Sequence, residues 1–65
     1  MKYNVGDTVL VNTSTNCSYK VEIIEIMDSD TYQVLEKLPN GALDWLYGEL
    51  YDSDTNHVLL ESAKV

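Results

Sequence analysis

Two groups of residues have types and spacing that invite a chemical reading. Asp52, Asp54 and Asn56 alternate along one polar stretch, the spacing that opens a calcium-binding helix–loop–helix. That loop needs a Gly where this chain has His57, and a bidentate Glu where it has Ala63. The stretch therefore reads as an Asx-rich turn, in which short carboxylates and amides bond to nearby backbone. Cys17 and His57 are the single cysteine and single histidine, so nucleophilic chemistry would need both in contact. Nothing in the sequence places them together, and a barrel this small rarely encloses a preorganised pocket. We expect no catalytic residues, no cofactor, no metal and no enzymatic activity.

What remains is a surface chemistry of rings and carboxylates. Trp45, Tyr47 and Tyr51 fall close together with Asp44, Glu49, Asp52 and Asp54. Aromatic rings contribute contact area at low entropic cost, and neighbouring carboxylates steer a basic partner. These seven residues are the expected partner-binding site. Glu22, Glu25, Asp28 and Asp30 would extend the acidic face, whose charges could resemble spaced phosphates.

The bulk charge fits a basic partner, and it equally fits acidity that only keeps a small domain soluble. Eleven Asp and Glu oppose four Lys, with no Arg, for a formal net charge of −7. Proteins that hold nucleic acid neutralise its phosphates with clustered cations. Here Lys2, Lys20, Lys37 and Lys64 are far apart in sequence, so neither nucleic acid nor an anionic membrane surface is an expected partner. A lone cysteine rules out an internal disulfide and fits a reducing compartment. The first residues lack an apolar signal core, and no run reaches membrane-spanning length, so a cytoplasmic protein is expected. Asn12-Thr13-Ser14 and Asn16-Cys17-Ser18 match the glycosylation pattern only formally.

The elements that would position these residues are strands. At 65 residues there is room for one domain, residues 1–65, with stability of about 3–5 kcal/mol at most. Its organising stretch is Tyr19 to Met27. Tyr19, Val21 and Ile23 alternate with Lys20 and Glu22, but Ile24 and Ile26 then carry the apolar positions. The phase flips between Ile23 and Ile24, which predicts a long second strand with a bulge or bend there and an inward face on both halves. Asp28-Ser29-Asp30 turns into a third strand, Thr31 to Leu35, with Tyr32 and Val34 sharing a face. Thr8 to Val11 forms a first strand after the Gly6-Asp7 turn, and Asn12 to Ser18 is a polar loop. Pro39-Asn40-Gly41 is the clearest turn signal. It leads into a fourth strand, Ala42 to Leu50, where Gly48 suggests a bulge or a close backbone approach. His57 to Glu61 closes against the first strand.

The pattern resembles the SH3-like small barrels, including the Tudor-like and KOW-like groups. The resemblance rests on Val5-Gly6-Asp7-Thr8-Val9-Leu10-Val11, then Val21-Glu22-Ile23-Ile24-Glu25-Ile26, Tyr32-Gln33-Val34, and Asp44-Trp45-Leu46 with Glu49-Leu50, and it covers most of the chain. It implies an all-β, five-stranded barrel with a long bent second strand. It implies little about function, because such barrels bind peptides, modified side chains, nucleic acids and proteins. The basic loops of RNA-binding KOW-like modules are missing. A Tudor-like cage would draw on Trp45, Tyr47, Tyr32 and Tyr51, although core packing or an interface explains those rings more simply. Short acidic single-domain proteins of phages and mobile elements are similar in size and charge. The expected function is thus a non-catalytic protein-binding module, in concrete form an inhibitor of a basic host defence or nucleic-acid-binding protein. Self-assembly into a homo-oligomeric structural or accessory subunit, or sequestration of a small ligand, is the alternative.

Overall fold

The computed structural model describes residues 2–13 and 17–63, and the side chains of residues 45–47 lie outside the described set. The chain forms a small, all-β, antiparallel domain. Its strands are β1 (Thr8–Asn12), β2 (Ser18–Ile26), β3 (Thr31–Lys37), β4 (Leu43–Tyr51) and β5 (His57–Glu61). They hydrogen-bond in the order β4-β3-β2-β1-β5. β1 to β4 pair consecutively, each with the next, and β5 returns to pair with β1. Among the described residues no ladder joins β4 to β5, so the sheet is not closed and has two edges.

The core follows from strand alternation. Val9 and Val11 of β1, Val21 and Ile23 of β2, Tyr32 and Val34 of β3, and Leu50 of β4 are buried together with Tyr3. β2 pairs with β3 through Ile23↔Val34 and then Glu25↔Gln33, which leaves Ile24 as the extra residue of a bulge. The phase flip in the sequence is this bulge. It does not bring the far half fully inward, since Ile26 remains 39% exposed as the strand runs out past the core towards its turn.

The bulge also receives the N-terminal turn. The Gly6 amide donates to the Ile23 carbonyl (2.7 Å) and the Ile23 amide donates to the Asp7 carbonyl (3.0 Å). Gly6 adopts φ +95°, and a Cβ built there would lie 2.7 Å from Cβ of Ala63, so glycine is required by both backbone and space. Asp7 is buried, and its carboxylate accepts from the amides of Asn4 and Ala63, each at 2.9 Å. One aspartate thereby ties the entry to β1 to the segment after β5.

The other turns behave as their residues dictate. Gly41 sits at φ +90°, its amide donates to the Leu38 carbonyl at 2.8 Å, and Asn40 Oδ1 accepts from the Ala42 amide at 3.0 Å. Asp28 Oδ1 accepts from the Asp30 amide at 2.9 Å. Gly48 corrects the expectation placed on it. It pairs regularly with Val34, nothing lies within 4 Å of a Cβ added there, and the irregularity of β4 falls between the partners of Leu35 and Lys37. No helix among the described residues is long and apolar enough to cross a membrane.

Candidate functional site

The residues singled out by sequence divide sharply once placed. Tyr51, at the end of β4, is 43% exposed, and its hydroxyl donates to Glu49 Oε1 at 3.1 Å. The two share a side of the strand because they are two residues apart. The phenol is held above its ordinary pKa by that hydrogen bond first, then by the negative charge of Glu49, by burial, and by the charges of Asp54 and Asp28. A single exposed ring therefore stands in the field of three carboxylates, drawn from β4, from the turn after it and from the β2–β3 turn.

Asp52 belongs to a different arrangement. Its carboxylate accepts a short hydrogen bond from the Tyr32 hydroxyl and another from the Lys2 amide at 3.0 Å. Those two bonds, in that order, hold it below the usual carboxylate range. Tyr32 is fully buried, so it supplies no wall to an aromatic cage, and its oxygen also accepts from the Tyr3 amide at 3.1 Å. Burial, and after it the bond to Asp52, raises the Tyr32 phenol. Asp30 is likewise engaged, since its carboxylate accepts from the amide (3.0 Å) and hydroxyl (3.1 Å) of Ser53. These contacts lash the β2–β3 turn to the β4–β5 turn.

His57 lies at the centre of the second network. The Tyr51 carbonyl can only accept, so Nε2 of the ring donates to it at 2.9 Å. In the neutral ring Nδ1 then accepts from the Tyr3 hydroxyl at 2.7 Å. The Tyr3 ring packs edge-on to the imidazole and tilted to Tyr32, both with centroids 5.4 Å apart. Both nitrogens of the buried His57 are thus in use, while Cys17 is exposed in the loop after β1. That geometry commits both ring nitrogens of His57 to holding the fold together. Among the described residues no group of three or more His, Cys, Asp or Glu is placed to hold a metal ion.

Of the seven expected contact residues, then, the structure brings Tyr51, Glu49 and Asp54 together, adds Asp28, and diverts Asp52 into the fold. Asp44 is half-buried and has a polar partner of its own. Trp45 and Tyr47 lie in β4, but their side chains are outside the described residues. Glu22 is 3.8 Å from Lys37, whose Nζ also donates to Thr8 Oγ1 at 3.0 Å.

Beside β4 lies an open groove of about 350 Å³ lined by Val11, Tyr19, Val34, Glu36, Gly48, Glu49 and Leu50. Sequence reading missed it, although Glu36 carries a signal: it continues the inward alternation of Tyr32 and Val34, where a carboxylate is out of place in a core. A neighbouring depression of about 360 Å³ is lined by Lys20 and Lys37 together with Leu10 and Pro39, so two lysines distant in sequence share one site. Compared with known proteins, the chain matches no family model, no curated protein and no solved structure.

Proposed function

We propose that this chain is a non-catalytic protein-binding module that engages a basic partner in the cytoplasm through the acidic, aromatic surface carried by β4 and the turns beside it. The observation that carries the reading is Tyr51, exposed among Glu49, Asp54 and Asp28. An aromatic face in a negative field suits a Lys or Arg side chain, which packs its stem on the ring while its charge meets the carboxylates. Trp45, Tyr47 and Asp44 complete the proposed surface, and Asp52, bonded to Tyr32 and Lys2, borders it and holds its turn in place. The architecture we propose is an SH3-like barrel left unzipped between β4 and β5. Supporting it are the strand order and extents of 27 × 27 × 22 Å, too thick for a flat sheet, whose layers stack about 10 Å apart. In concrete form the module is an inhibitor, of the kind phages and mobile elements carry, that occupies the nucleic-acid site of a host defence or nucleic-acid-binding protein.

The test is capture from host lysate with the tagged chain, eluted in steps of rising salt, beside Tyr51→Ala/Glu49→Lys and Trp45→Ala/Tyr47→Ala versions. The expected result is one basic protein that elutes below about 0.5 M salt, where screening shortens to about 4 Å, and that both variants fail to retain. Its nucleic acid should compete with the wild-type chain. Retention that ignores both salt and the substitutions would overturn the reading.

A further inference from the structure

We infer that the groove beside β4 is a socket for an arginine side chain carried by the basic protein partner. The inference rests on the reading of a basic partner given above and adds a separate anchor, on the opposite side of β4 from Tyr51. Val11 of β1 lines this groove together with Gly48 and Leu50 of β4, although β2 and β3 lie between those strands in the sheet. The sheet therefore curls, and the groove is the mouth of the curl. Gly48 keeps it open. That residue pairs with Val34, so a side chain there would project to the same side as the buried Val34, yet nothing lies within 4 Å of a Cβ built on it.

Glu36 gives the groove its chemistry. Two residues on from Val34, it faces the same side, lines the groove and is half-buried. Among the described residues its carboxylate has no hydrogen-bond or ion-pair partner. The adjacent cation, Lys37, lies 3.8 Å from Glu22 and donates to Thr8 Oγ1 at 3.0 Å instead. No lysine lines the groove, and Glu49 adds a second negative charge to its lining. A partly desolvated carboxylate without a partner is costly, and a cation arriving from outside removes that cost. The walls select the cation. Val11, Val34 and Leu50 suit an aliphatic stem, while Tyr19, 41% exposed, offers a ring on the same lining as the carboxylate. A guanidinium stacks on rings, pairs with one carboxylate through two parallel N–H bonds and is less strongly hydrated than an ammonium, so arginine fits better than lysine. Small-molecule sites bury most of their ligand, whereas this groove is open, so the arginine is carried on a protein chain.

The probe is the peptide acetyl-Gly-Gly-Arg-Gly-Gly-amide, titrated to about 10 mM into the whole chain while backbone amide NMR shifts are followed; a single side chain supports a dissociation constant of about 1 mM. Shifts are expected at Val11, Tyr19, Val34, Glu36 and Gly48, and the lysine counterpart should bind about tenfold more weakly. Gly48→Val fills the groove and should abolish these shifts in a chain that stays folded, since position 48 has neither a positive φ nor a crowding neighbour. Glu36→Gln should weaken binding about tenfold or more. Glu25→Gln removes the same charge from an exposed position and should leave affinity within about twofold. Shifts that survive Gly48→Val, equal losses in the two Gln variants, or equal affinity for the lysine peptide would overturn the socket. Tighter binding of free arginine than of the peptide would overturn the partner assignment by making the groove a small-ligand site. Binding that maps only to Glu49, Tyr51 and Asp54 would overturn the socket and leave the basic-partner reading standing. No shift at all would also overturn it, and the basic-partner reading would then fall only if the lysate capture failed as well.

Discussion

Tyr3→Phe isolates a single hydrogen bond at the centre of the fold. The ring, with its contacts to Tyr32 and His57, is retained, and only the hydroxyl 2.7 Å from His57 Nδ1 is removed. Both side chains are buried, at 4% and 5% exposure, so the nitrogen is left facing an apolar ring edge with no donor. Leaving one buried polar atom unsatisfied costs about 1–3 kcal/mol. Against a total of about 3–5 kcal/mol for a domain of this size, that is a large share. At about 4–8 °C per kcal/mol, a 2 kcal/mol loss lowers the melting midpoint by about 8–16 °C. Urea denaturation followed by far-ultraviolet circular dichroism should show the midpoint fall with an unchanged slope, because the surface exposed on unfolding is the same. Tyr19→Phe is the companion, since that exposed ring should lose no more than about 0.5 kcal/mol. Equal losses in the two variants, or a Tyr3→Phe loss under about 0.5 kcal/mol, would refute the claim that this bond anchors the N-terminal segment.

Two further perturbations probe the turns and the acidic groups. Gly6→Ala should cost about 1–3 kcal/mol, because φ +95° coincides with a Cβ contact of 2.7 Å to Ala63, whereas Gly41→Ala, at φ +90° in open space, should cost only about 1 kcal/mol. The same denaturation curves rank them, and a larger loss at Gly41 would contradict the packing described around Ala63. Asp52 and Asp28 are both held below the ordinary carboxylate value, Asp52 by the Tyr32 hydroxyl and Asp28 chiefly by the Asp30 amide. Their contribution is present above the unfolded carboxylate pKa of about 4 and is lost as pH falls through the lower folded values, so stability should decline below about pH 4. Tyr3 and Tyr32 are raised, mainly by burial, so their contribution is present below about pH 10 and is lost as pH rises through their folded values. Asp52→Asn should flatten the acid limb, and an unchanged limb would show that its bond to Tyr32 contributes nothing there.

Local order was legible in the chain because it depends on neighbours in sequence. The alternation of Val9 with Val11, and of Tyr32 with Val34, assigns strands and an inner face. The break at Ile23-Ile24 locates a bulge, and Asn40-Gly41 supplies the positive φ of a turn. Partners across long separations were not legible in this way. Nothing local tells that Asp52 will accept from Tyr32 and Lys2 instead of facing solvent, or that His57 will be enclosed between Tyr3 and the Tyr51 carbonyl. Asp7 reads as a turn residue, and its second hydrogen-bond partner is 56 positions away at Ala63. Carboxylates that look alike in a charge count are thus sorted by the fold into structural ones, Asp7, Asp30 and Asp52, and outward ones, Glu49 and Asp54. Composition determined that the surface is acidic and the backbone extended, since both are sums over residues. Which charges are free, and which two edges the sheet leaves open, was decided only when the strands met, because a hydrogen bond or a closed ladder requires two distant segments in one place.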